Sequence, residues 1–526
     1  MRIHLALAVP LCLATWIACS LFAATGNAAD TATPPRPNIV YILADDLGRG
    51  DLSCYNPAAA WKTPCLDRLA AQGLLFTDAH SASGVCTPSR YTLMTGRYSW
   101  RGPLKAHTLR GYSPALIEPD RLTVASLLKS KGYTTAVFGK WHLGVDWKTT
   151  GPNEGDVDFS QPFGGGPLAH GFDRFLGISA SLDMPPYVWL EQDRVVTMPT
   201  GTIEDSPKPK FWRGGPISED FTMEGVEPRI IDTAAKYLAE RAAAPDHQPF
   251  FLYLPLAAPH TPIVPTAEFI GRTKTTEYGD FVAQVDADVG RLLDVLESTG
   301  LAKDTIVIFT ADNGFAPAAN LPALRALGHD PSVGLRGYKT DLFEGGHRIP
   351  FIVRWPGRTP AGGRSDALVA QADLLATCAD LLGATLPADA AEDSISMLPL
   401  IRGEKQGGRE SCVAHSADGQ FAIRQGRWKL ILWPGSGGWS PPTPAPSVWL
   451  DAPKADFGTL PPFQLYDLEA DPAETTNLVA KHPEIVERLG KLARSQIDSG
   501  RSTPGAAQPV DLSNWPQVSW REQFAP

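Results

Sequence analysis

Cysteine is scarce in this chain, which has 7 cysteines among 526 residues. No Cys-x-x-Cys pair occurs, so nothing in the spacing indicates a thiolate zinc site. Two cysteines lie in the first 28 residues, and the other five are Cys54, Cys65, Cys86, Cys378 and Cys412. Cys54 and Cys65 are candidates for a disulfide in an oxidising compartment, but spacing alone does not fix which cysteines pair.

An excess of basic residues is also absent. The chain has 47 lysine and arginine residues against 57 acidic ones, a formal net charge of −10. Global charge of this sign argues against a nucleic-acid partner, although a local basic pocket for an anion is compatible with it. With 43% hydrophobic and 20% charged residues, the composition is that of a globular protein and not of a disordered one.

Beyond the N-terminus, the chain lacks an apolar run long enough to span a membrane. Arg2 precedes an apolar run at 5–24, and Gly26-Asn27-Ala28 offers a small-x-small cleavage site. This pattern predicts a signal peptide over 1–28, export to the periplasm or the exterior, and no stable membrane insertion after cleavage. The alternatives are an uncleaved anchor and lipidation at Cys19, which follows a poor lipoprotein box.

Candidate strands and helices alternate from the segment Asn38-Ile-Val-Tyr-Ile-Leu-Ala44 onwards. The later predicted strands are 134–138, 250–256, 305–310 and 349–354, and the predicted helices are 122–131, 229–243, 277–298 and 372–382. Such alternation is typical of the α/β class, with a large, mostly parallel central sheet flanked by helices. Ligands bind sheets of this kind at the carboxyl ends of the strands.

The pattern changes after about residue 405. Residues 421–432 predict a β-hairpin, 464–468 a short strand and 483–497 a closing helix. We therefore expect a catalytic domain over 37–404 and a small antiparallel α+β subdomain over 405–526.

Long segments rich in glycine and proline separate these elements. Residues 151–215 are predicted to be loops over the active face. We expect the pocket walls to come from 151–225, 315–336 and the loop at 435–462. Candidate tryptophans for stacking on a sugar ring are Trp147, Trp189 and Trp212, although core packing is the commoner fate of this residue.

Two polar pairs follow predicted strands. Asp45-Asp46 ends the first strand, and Asp312-Asn313 ends the strand at 305–310. Three carboxylates and an amide oxygen at one sheet edge suit a hard divalent cation, with calcium favoured and magnesium possible. Capping of turns is the ordinary role of each pair taken alone.

Basic and imidazole side chains follow other strands. In the peptide Gly132-Tyr-Thr-Thr-Ala-Val-Phe-Gly-Lys-Trp-His142, Lys140 and His142 are two residues apart, so both can face one side of an extended segment. His260 follows the strand at 250–256, and Lys339 precedes the segment Glu344-Gly-Gly-His-Arg-Ile-Pro350. His260 and Lys339 are candidate acids for a leaving group.

The peptide Cys86-Thr-Pro-Ser-Arg90 is followed by Thr95-Gly96-Arg97. Pro88 suits the first turn of a helix, which would place Cys86 at a helix N-terminus. The backbone N–H groups and the dipole at that end favour negative charge. Arg90 could add charge-assisted hydrogen bonds to an anion there.

Three of these segments resemble one known family. The residues 86–97 match Cys-x-Pro-Ser-Arg with a Thr-Gly-Arg tail, 132–142 match Gly-Tyr-x-Thr with Gly-Lys-x-His, and 337–350 match Gly-x-Lys with Glu-Gly-Gly-x-Arg-x-Pro. These patterns resemble the signatures of the type I, formylglycine-dependent sulfatases of the alkaline phosphatase superfamily. The resemblance extends roughly from Pro37 to the end of the chain.

The resemblance implies an alkaline phosphatase-like fold and a modified cysteine. A formylglycine-generating maturation enzyme would oxidise Cys86 to formylglycine (3-oxoalanine), whose hydrate attacks sulfur. The implied metal ligands are Asp45, Asp46, Cys86, Asp312 and Asn313. The implied catalytic residues are Cys86, Arg90, Lys140, His142, His260 and Lys339.

Individual roles follow from the same resemblance. Asp312 would accept the proton of the attacking hydroxyl, and His142 the proton whose loss frees sulfate. Arg90 and Lys140 would support formylglycine and sulfate, while His260 and Lys339 would bind sulfate and assist the leaving oxygen. Ser181 vaguely matches a sulfate-contacting serine. No role is matched to two further histidines, and we expect His329 and His347 to be exposed to solvent.

The implied function is hydrolysis of sulfate monoesters on a saccharide or an aryl alcohol by an exported enzyme. Two alternatives stay open at the level of sequence. One is a formylglycine-dependent phosphonate monoester or phosphodiester hydrolase, because both substrates are tetrahedral oxyanions. The other is a secreted glycan-binding protein that keeps the fold without turnover.

Overall fold

The computed structural model describes residues 36–207, 210–443, 445–447 and 449–525. The strands are β1 (Asn38–Ala44), β2 (Leu74–His80), β3 (Thr134–Lys140), β4 (Arg174–Ile178), β5 (Leu190–Glu191), β6 (Arg194–Val195), β7 (Pro199–Ile203), β8 (Gly215–Ser218), β9 (Phe250–Pro255), β10 (Thr305–Ala311), β11 (Arg348–Arg354), β12 (Gly363–Ser365), β13 (Val369–Ala370), β14 (Ser411–His415), β15 (Phe421–Gln425), β16 (Trp428–Ile431) and β17 (Gln464–Asp467). The helices are α1 (Pro64–Gln72), α2 (Cys86–Thr95), α3 (Val124–Ser130), α4 (Val226–Ala243), α5 (Glu277–Ser298), α6 (Leu321–Ala326), α7 (Glu344–His347), α8 (Leu374–Leu381), α9 (Leu398–Ile401) and α10 (Pro483–Asp498).

The central sheet is built around β1, which is buried along its whole length. β1 lies between β10 and β9 and runs parallel to both. β3 continues the parallel part between β9 and β4. On one side β11 is antiparallel to both β10 and β2, and the short strands β12 and β13 pair in parallel with β2. On the other side the antiparallel strands β5 and β6 form the edge. The predicted large, mostly parallel sheet is confirmed.

Alternate residues of β1 enter two different hydrophobic cores. Val40 and Ile42 pack in the core that contains the apolar faces of α1, α4 and α5. Ile39, Tyr41 and Leu43 pack in the core that contains α3 and α8. A strand with apolar residues on both faces needs helices on both sides, because both faces must leave water.

The segment 151–215, which the sequence predicts to be loops, is only partly irregular. β4 extends the parallel sheet, and the two-residue strands β5 and β6 extend its edge. Short strands interrupted by glycine and proline carry little periodicity, which is why the pattern did not reveal them.

The small C-terminal sheet has the order β14-β15-β16-β17 and is antiparallel throughout, as predicted. Its core includes α10, and it also receives Tyr98 and Trp100 from the segment that follows α2. The ring of Trp100 lies 5.2 Å from that of Phe421 on β15. The described residues from 37 onwards accordingly form one compact unit.

Across the residues described here, no helix combines the length and the apolar character that a membrane span requires. The predicted signal peptide over 1–28 lies outside the described residues. Cys54 and Cys65 are present as free thiols.

Asp393 ties the C-terminal segment to the segment that follows α2. Its carboxylate accepts two hydrogen bonds from the Arg101 guanidinium, at 2.7 and 2.8 Å. It also accepts the backbone N–H groups of Tyr98 at 2.9 Å and of Ser502 at 3.0 Å. Both members of the ion pair are buried away from water, so each charge is compensated by its partner and not by solvent.

We expect Asp393→Ala to lower the free energy of unfolding by about 3–5 kcal/mol, because the buried Arg101 charge would lose its partner. Urea denaturation followed by tryptophan fluorescence measures the change. Asp389→Ala removes an exposed carboxylate nearby and serves as the control. Equal stability of the two variants would contradict the assigned role of Asp393.

A second buried carboxylate lies beneath the loop that follows β9. Glu227 on α4 accepts the backbone N–H of Ala257 at 3.1 Å. Burial, together with the nearby Asp288 carboxylate, raises the pKa of Glu227 to about 8. The folded protein therefore binds this proton more tightly than the unfolded chain, whose glutamate has a pKa of about 4.3.

This shift predicts a loss of stability as the pH rises from about 4.3 to about 8, since the unfolded chain releases this proton there while the folded state retains it. Glu227→Gln removes the ionisation but keeps an acceptor for Ala257. We expect the difference in melting temperature between Glu227→Gln and the unsubstituted protein to increase in favour of the variant from pH 5 to pH 9. Exposed Glu224→Gln is the matched control, and a pH-independent difference for Glu227→Gln would refute the shift.

Candidate active site

The register of two parallel strands places both acidic pairs together. Ala44 at the end of β1 is the partner of Ala311 at the end of β10, so Asp45 and Asp312 leave the sheet side by side. The Asp46 N–H donates to Asp312 Oδ1 at 3.2 Å. Asn313 Nδ2 donates to Asp46 Oδ1 at 2.8 Å. The four side chains predicted to hold a cation thus meet at one sheet edge, fully buried.

Cys86 is the first residue of α2, as the position of Pro88 predicted. The thiol is buried, and it lines the main cavity at this sheet edge. Burial raises the pKa of Cys86 to about 12, although Lys140 and Lys339 oppose the shift. The unmodified side chain is therefore a neutral thiol at pH 7, which is a poor nucleophile.

Arg90, one turn along α2, lies behind the cavity and does not line it. Its Nε and Nη2 donate to Asp312 Oδ2 at 3.0 and 2.8 Å, and Nη1 donates to the Lys140 carbonyl at 2.9 Å. Two charge-assisted hydrogen bonds to this one oxygen hold the Asp312 carboxylate in place. Burial and the neighbouring Asp45 raise the pKa of Asp312, which favours proton uptake at that side chain.

Lys140 occupies the end of β3 and is also hidden from the cavity. Its ammonium donates to Asp45 Oδ2 at 2.5 Å and to Ser181 Oγ at 2.6 Å. Burial alone would raise the pKa of Asp45, but Lys140 holds it below the ordinary value. Ser181, only a weak candidate from the sequence, thus belongs to the site and lines the cavity.

His142 adopts a left-handed backbone conformation, with φ of 54°. Its Nε2 lies 2.9 Å from the Leu109 carbonyl, so that nitrogen carries the proton. Nδ1 is buried and has no hydrogen-bond partner among the described residues. Burial lowers the pKa of His142 well below its ordinary value, with Lys140 and Arg90 adding to the effect. The ring is therefore neutral, with a lone pair on Nδ1.

Lys339 and His260 lie together on the cavity wall. The Lys339 ammonium donates to Asp46 Oδ2 at 2.7 Å and lies 2.9 Å from His260 Nε2. His260 Nε2 is also 3.4 Å from Asp46 Oδ2. Burial opposes the charge on Lys339, but Asp46 and its neighbours raise the pKa of Lys339 above the ordinary value, so it stays protonated.

The cavity at this edge has a volume of about 430 Å³, a size suited to a small ligand. All three segments expected to form its walls contribute to it. The lining residues outside the predicted set include His107, Thr108, Asp183, Met184, Phe211, Arg213, Trp439 and Trp449. Asp183 lies two residues after Ser181, and this adjacency could have marked it in the sequence.

Oxygen atoms of the acidic cluster fit a cation. Asp45 Oδ1 and Asn313 Oδ1 are buried and have no hydrogen-bond partner in the part of the chain that the structure describes. Single ligand atoms of Asp45, Asp46, Cys86 and His260 all lie within 4.8 Å of one another. Buried oxygens without a donor are costly, so a hard cation would stabilise this arrangement.

The three tryptophans considered for stacking on a sugar ring lie outside the cavity, which is the commoner fate of this residue. Trp189 is core-packed, Trp147 donates to the Gly111 carbonyl, and Trp212 donates to the Glu204 carbonyl. None of the three lines the cavity.

The two unassigned histidines are buried and not exposed. His329 Nε2 lies 2.8 Å from an Asp51 carboxylate oxygen, and His347 Nδ1 lies 2.9 Å from His80 Nδ1. Both partners are far away in the sequence, so the local pattern could not reveal them.

Comparison with known proteins identifies the family. Residues 37–384 match the family described as Sulfatase, and residues 338–436 match the family described as N-sulphoglucosamine sulphohydrolase, C-terminal. The chain is 36% identical over 501 residues to an N-acetylgalactosamine-6-O-sulfatase of Bacteroides thetaiotaomicron, covering 88% of this chain and 93% of that protein. It is 34% identical over 489 residues to human arylsulfatase A, covering 90% of each.

A solved structure agrees with these matches. It comes from work on glycosaminoglycan metabolism by Bacteroides thetaiotaomicron and superimposes with a TM-score of 0.77 at 35% identity, covering 88% of this chain and 99% of that one. Since the Sulfatase match spans more than half of the chain, this protein belongs to the type I sulfatases of the alkaline phosphatase superfamily, which are hydrolases of sulfuric esters.

Proposed function

We propose that this sulfatase is exported and hydrolyses sulfate monoesters of a sulfated saccharide, releasing an alcohol and inorganic sulfate. The observation that carries the proposal is the convergence of Cys86, His142, His260 and Lys339 on one cavity beside the acidic cluster. N-acetylgalactosamine-6-sulfatases are among the relatives, including a human protein that is 30% identical over 507 residues. The proposed export rests on the signal-like residues 1–28.

Cys86 is the proposed source of the nucleophile. Its position at the N-terminus of α2 suits negative charge, but its buried thiol is neutral. Oxidation by a maturation enzyme to formylglycine would supply an aldehyde hydrate, in which one hydroxyl attacks sulfur and the other restores the carbonyl as sulfate leaves.

The acidic cluster is the proposed cation site. Asp45, Asp46, Asp312 and Asn313, together with the modified Cys86, would hold Ca²⁺, and Mg²⁺ is the alternative. When bound, the cation supplies a Lewis acid that polarises a sulfate oxygen. Lys140 and Arg90 hold the carboxylates in place from behind.

Three groups are the proposed carriers of protons. Asp312, whose carboxylate is held by Arg90, is the proposed acceptor of the proton of the attacking hydroxyl. The neutral His142 can accept a proton at Nδ1, because its Nε2 is engaged by the Leu109 carbonyl. The protonated Lys339, with His260 beside it, can bind sulfate and donate to the leaving oxygen.

We expect Cys86→Ala to lower kcat for 4-nitrophenyl sulfate by at least about 1,000-fold, because the variant cannot form the nucleophile. Initial rates would be measured on protein coexpressed with the formylglycine-generating enzyme. Cys378→Ala, which removes a buried cysteine of α8, serves as the control and should retain activity. Faster turnover of bis(4-nitrophenyl) phosphate than of the sulfate would instead assign the protein to the phosphodiester hydrolases.

We expect removal of divalent cations by a chelator to abolish sulfatase turnover, and added Ca²⁺ to restore it. Because the cation binds only the folded state, Ca²⁺ at about 100 times its Kd should stabilise the protein by about 2.7 kcal/mol. The rise in melting temperature should be much smaller in Asn313→Ala. Asn153→Ala, an exposed loop variant, is the control. An equal rise in Asn313→Ala would place the cation elsewhere.

A further inference from the structure

The cavity has two unlike walls besides the reacting groups. Asp183 and Arg213 form a polar wall, and the rings of Phe211, Trp439 and Trp449 form an aromatic wall. Neither wall contains a residue used in the proposed chemistry. Both walls line the same cavity as Cys86, so a substrate whose sulfate lies at Cys86 is within reach of them.

Asp183 combines a satisfied oxygen with an unsatisfied one. Its Oδ2 accepts Arg213 Nη1 at 2.6 Å, and its backbone carbonyl accepts the Arg213 N–H at 3.1 Å. The residue is only 4% exposed, and its Oδ1 is buried without a hydrogen-bond partner among the described residues. An unpaired buried carboxylate oxygen is costly, so a donor from a ligand in the cavity would be strongly favoured.

Arg213 presents the complementary group. Asp183 engages its Nη1, and the guanidinium carbon lies 5.1 Å from the centre of the Phe211 ring. The side chain is still 43% exposed, so further N–H groups are accessible from the cavity. The pair therefore offers an acceptor and a donor side by side, which is the arrangement that a hydroxyl group on a sugar ring requires.

The aromatic wall supplies an apolar surface. Trp449 lies 5.8 Å from Trp439 and 6.2 Å from Phe211, measured between ring centres. Both tryptophans are partly exposed. Flat, amphipathic rings of this kind cover the C–H face of a pyranose, while its hydroxyl groups point towards polar side chains.

We propose that Asp183 and Arg213 form a saccharide subsite, which recognises a hydroxyl or amide N–H group of the sugar ring that carries the sulfate. The inference rests on the proposed sulfatase function and names the substrate class of the same cavity. A carboxylate oxygen accepts from a neutral donor and the guanidinium donates to a neutral acceptor, so the subsite fits the hydroxyl and amide groups of a hexose or N-acetylhexosamine. An aryl sulfate without ring hydroxyl groups would not use it.

The test compares two substrates that share the sulfate but differ in the alcohol. N-acetylgalactosamine 6-sulfate offers ring hydroxyl and amide groups, and 4-nitrophenyl sulfate offers none. We expect Asp183→Ala to lower kcat/KM for the sugar sulfate by about 10- to 100-fold, the scale of a lost hydrogen bond to a charged group. Turnover of the aryl sulfate should change by less than about threefold.

Asp205→Ala is the matched control, because this exposed carboxylate binds the Gly214 N–H next to Arg213 but does not line the cavity. It should leave the ratio of the two substrates unchanged. Equal losses on both substrates in Asp183→Ala would overturn the proposal and show that Asp183 only supports the Ser181 loop. Unchanged kcat/KM on both substrates in Asp183→Ala would also overturn it.

A binding measurement separates this inference from the proposed catalysis. Calorimetric titration of N-acetylgalactosamine 6-sulfate into Cys86→Ala should give a Kd at least about 10-fold lower than titration into Cys86→Ala/Asp183→Ala. If the unsubstituted protein turned over neither ester while this difference persisted, the proposed function would fail and the subsite would stand. Equal affinities, or no binding to Cys86→Ala, would overturn the subsite.

Discussion

The structure depends on the pairing of buried charges at the carboxyl edge of its central sheet. Asp45, Asp46 and Asp312 are buried within one small volume, and three carboxylates so close together repel one another. Lys140, Lys339 and Arg90 each bind one of them. Every one of these contacts joins residues on different elements, so the sheet must be correctly assembled before the charges are compensated. Assembly of the fold and of the site is therefore one event.

Much of this could be predicted from the sequence, for identifiable physical reasons. The amphipathic pattern of 277–298 predicted α5 with the bounds that the structure shows. The continuous apolar run at 38–44 predicted β1. The α/β class and the sulfatase family were both confirmed. The roles of individual site residues stay predictions, although the structure brings them together.

What the sequence could not reveal depends on contacts between distant residues. The strands β5 and β6 have two residues each, and they pair with β4 and with β5, respectively. His347 is buried because His80 lies opposite it, 267 positions away. The aromatic wall was missed because Trp439 and Trp449 sit in a segment whose proline and glycine content predicts only a loop.

The charged groups of the reaction centre and most of the aromatic wall come from different parts of the chain. The charged groups of the reaction centre all come from residues before 340, whereas two of the three wall rings come from the loop that leaves the small sheet. The loop is anchored where the Trp439 N–H donates to Thr340 Oγ1 at 2.9 Å, one residue after Lys339. Exchange of the loop beyond this anchor would therefore alter which alcohols are accepted while the sulfur chemistry is inherited intact. New substrate preferences can arise in this fold by exchange of the loop, without changes to the charged groups of the reaction centre.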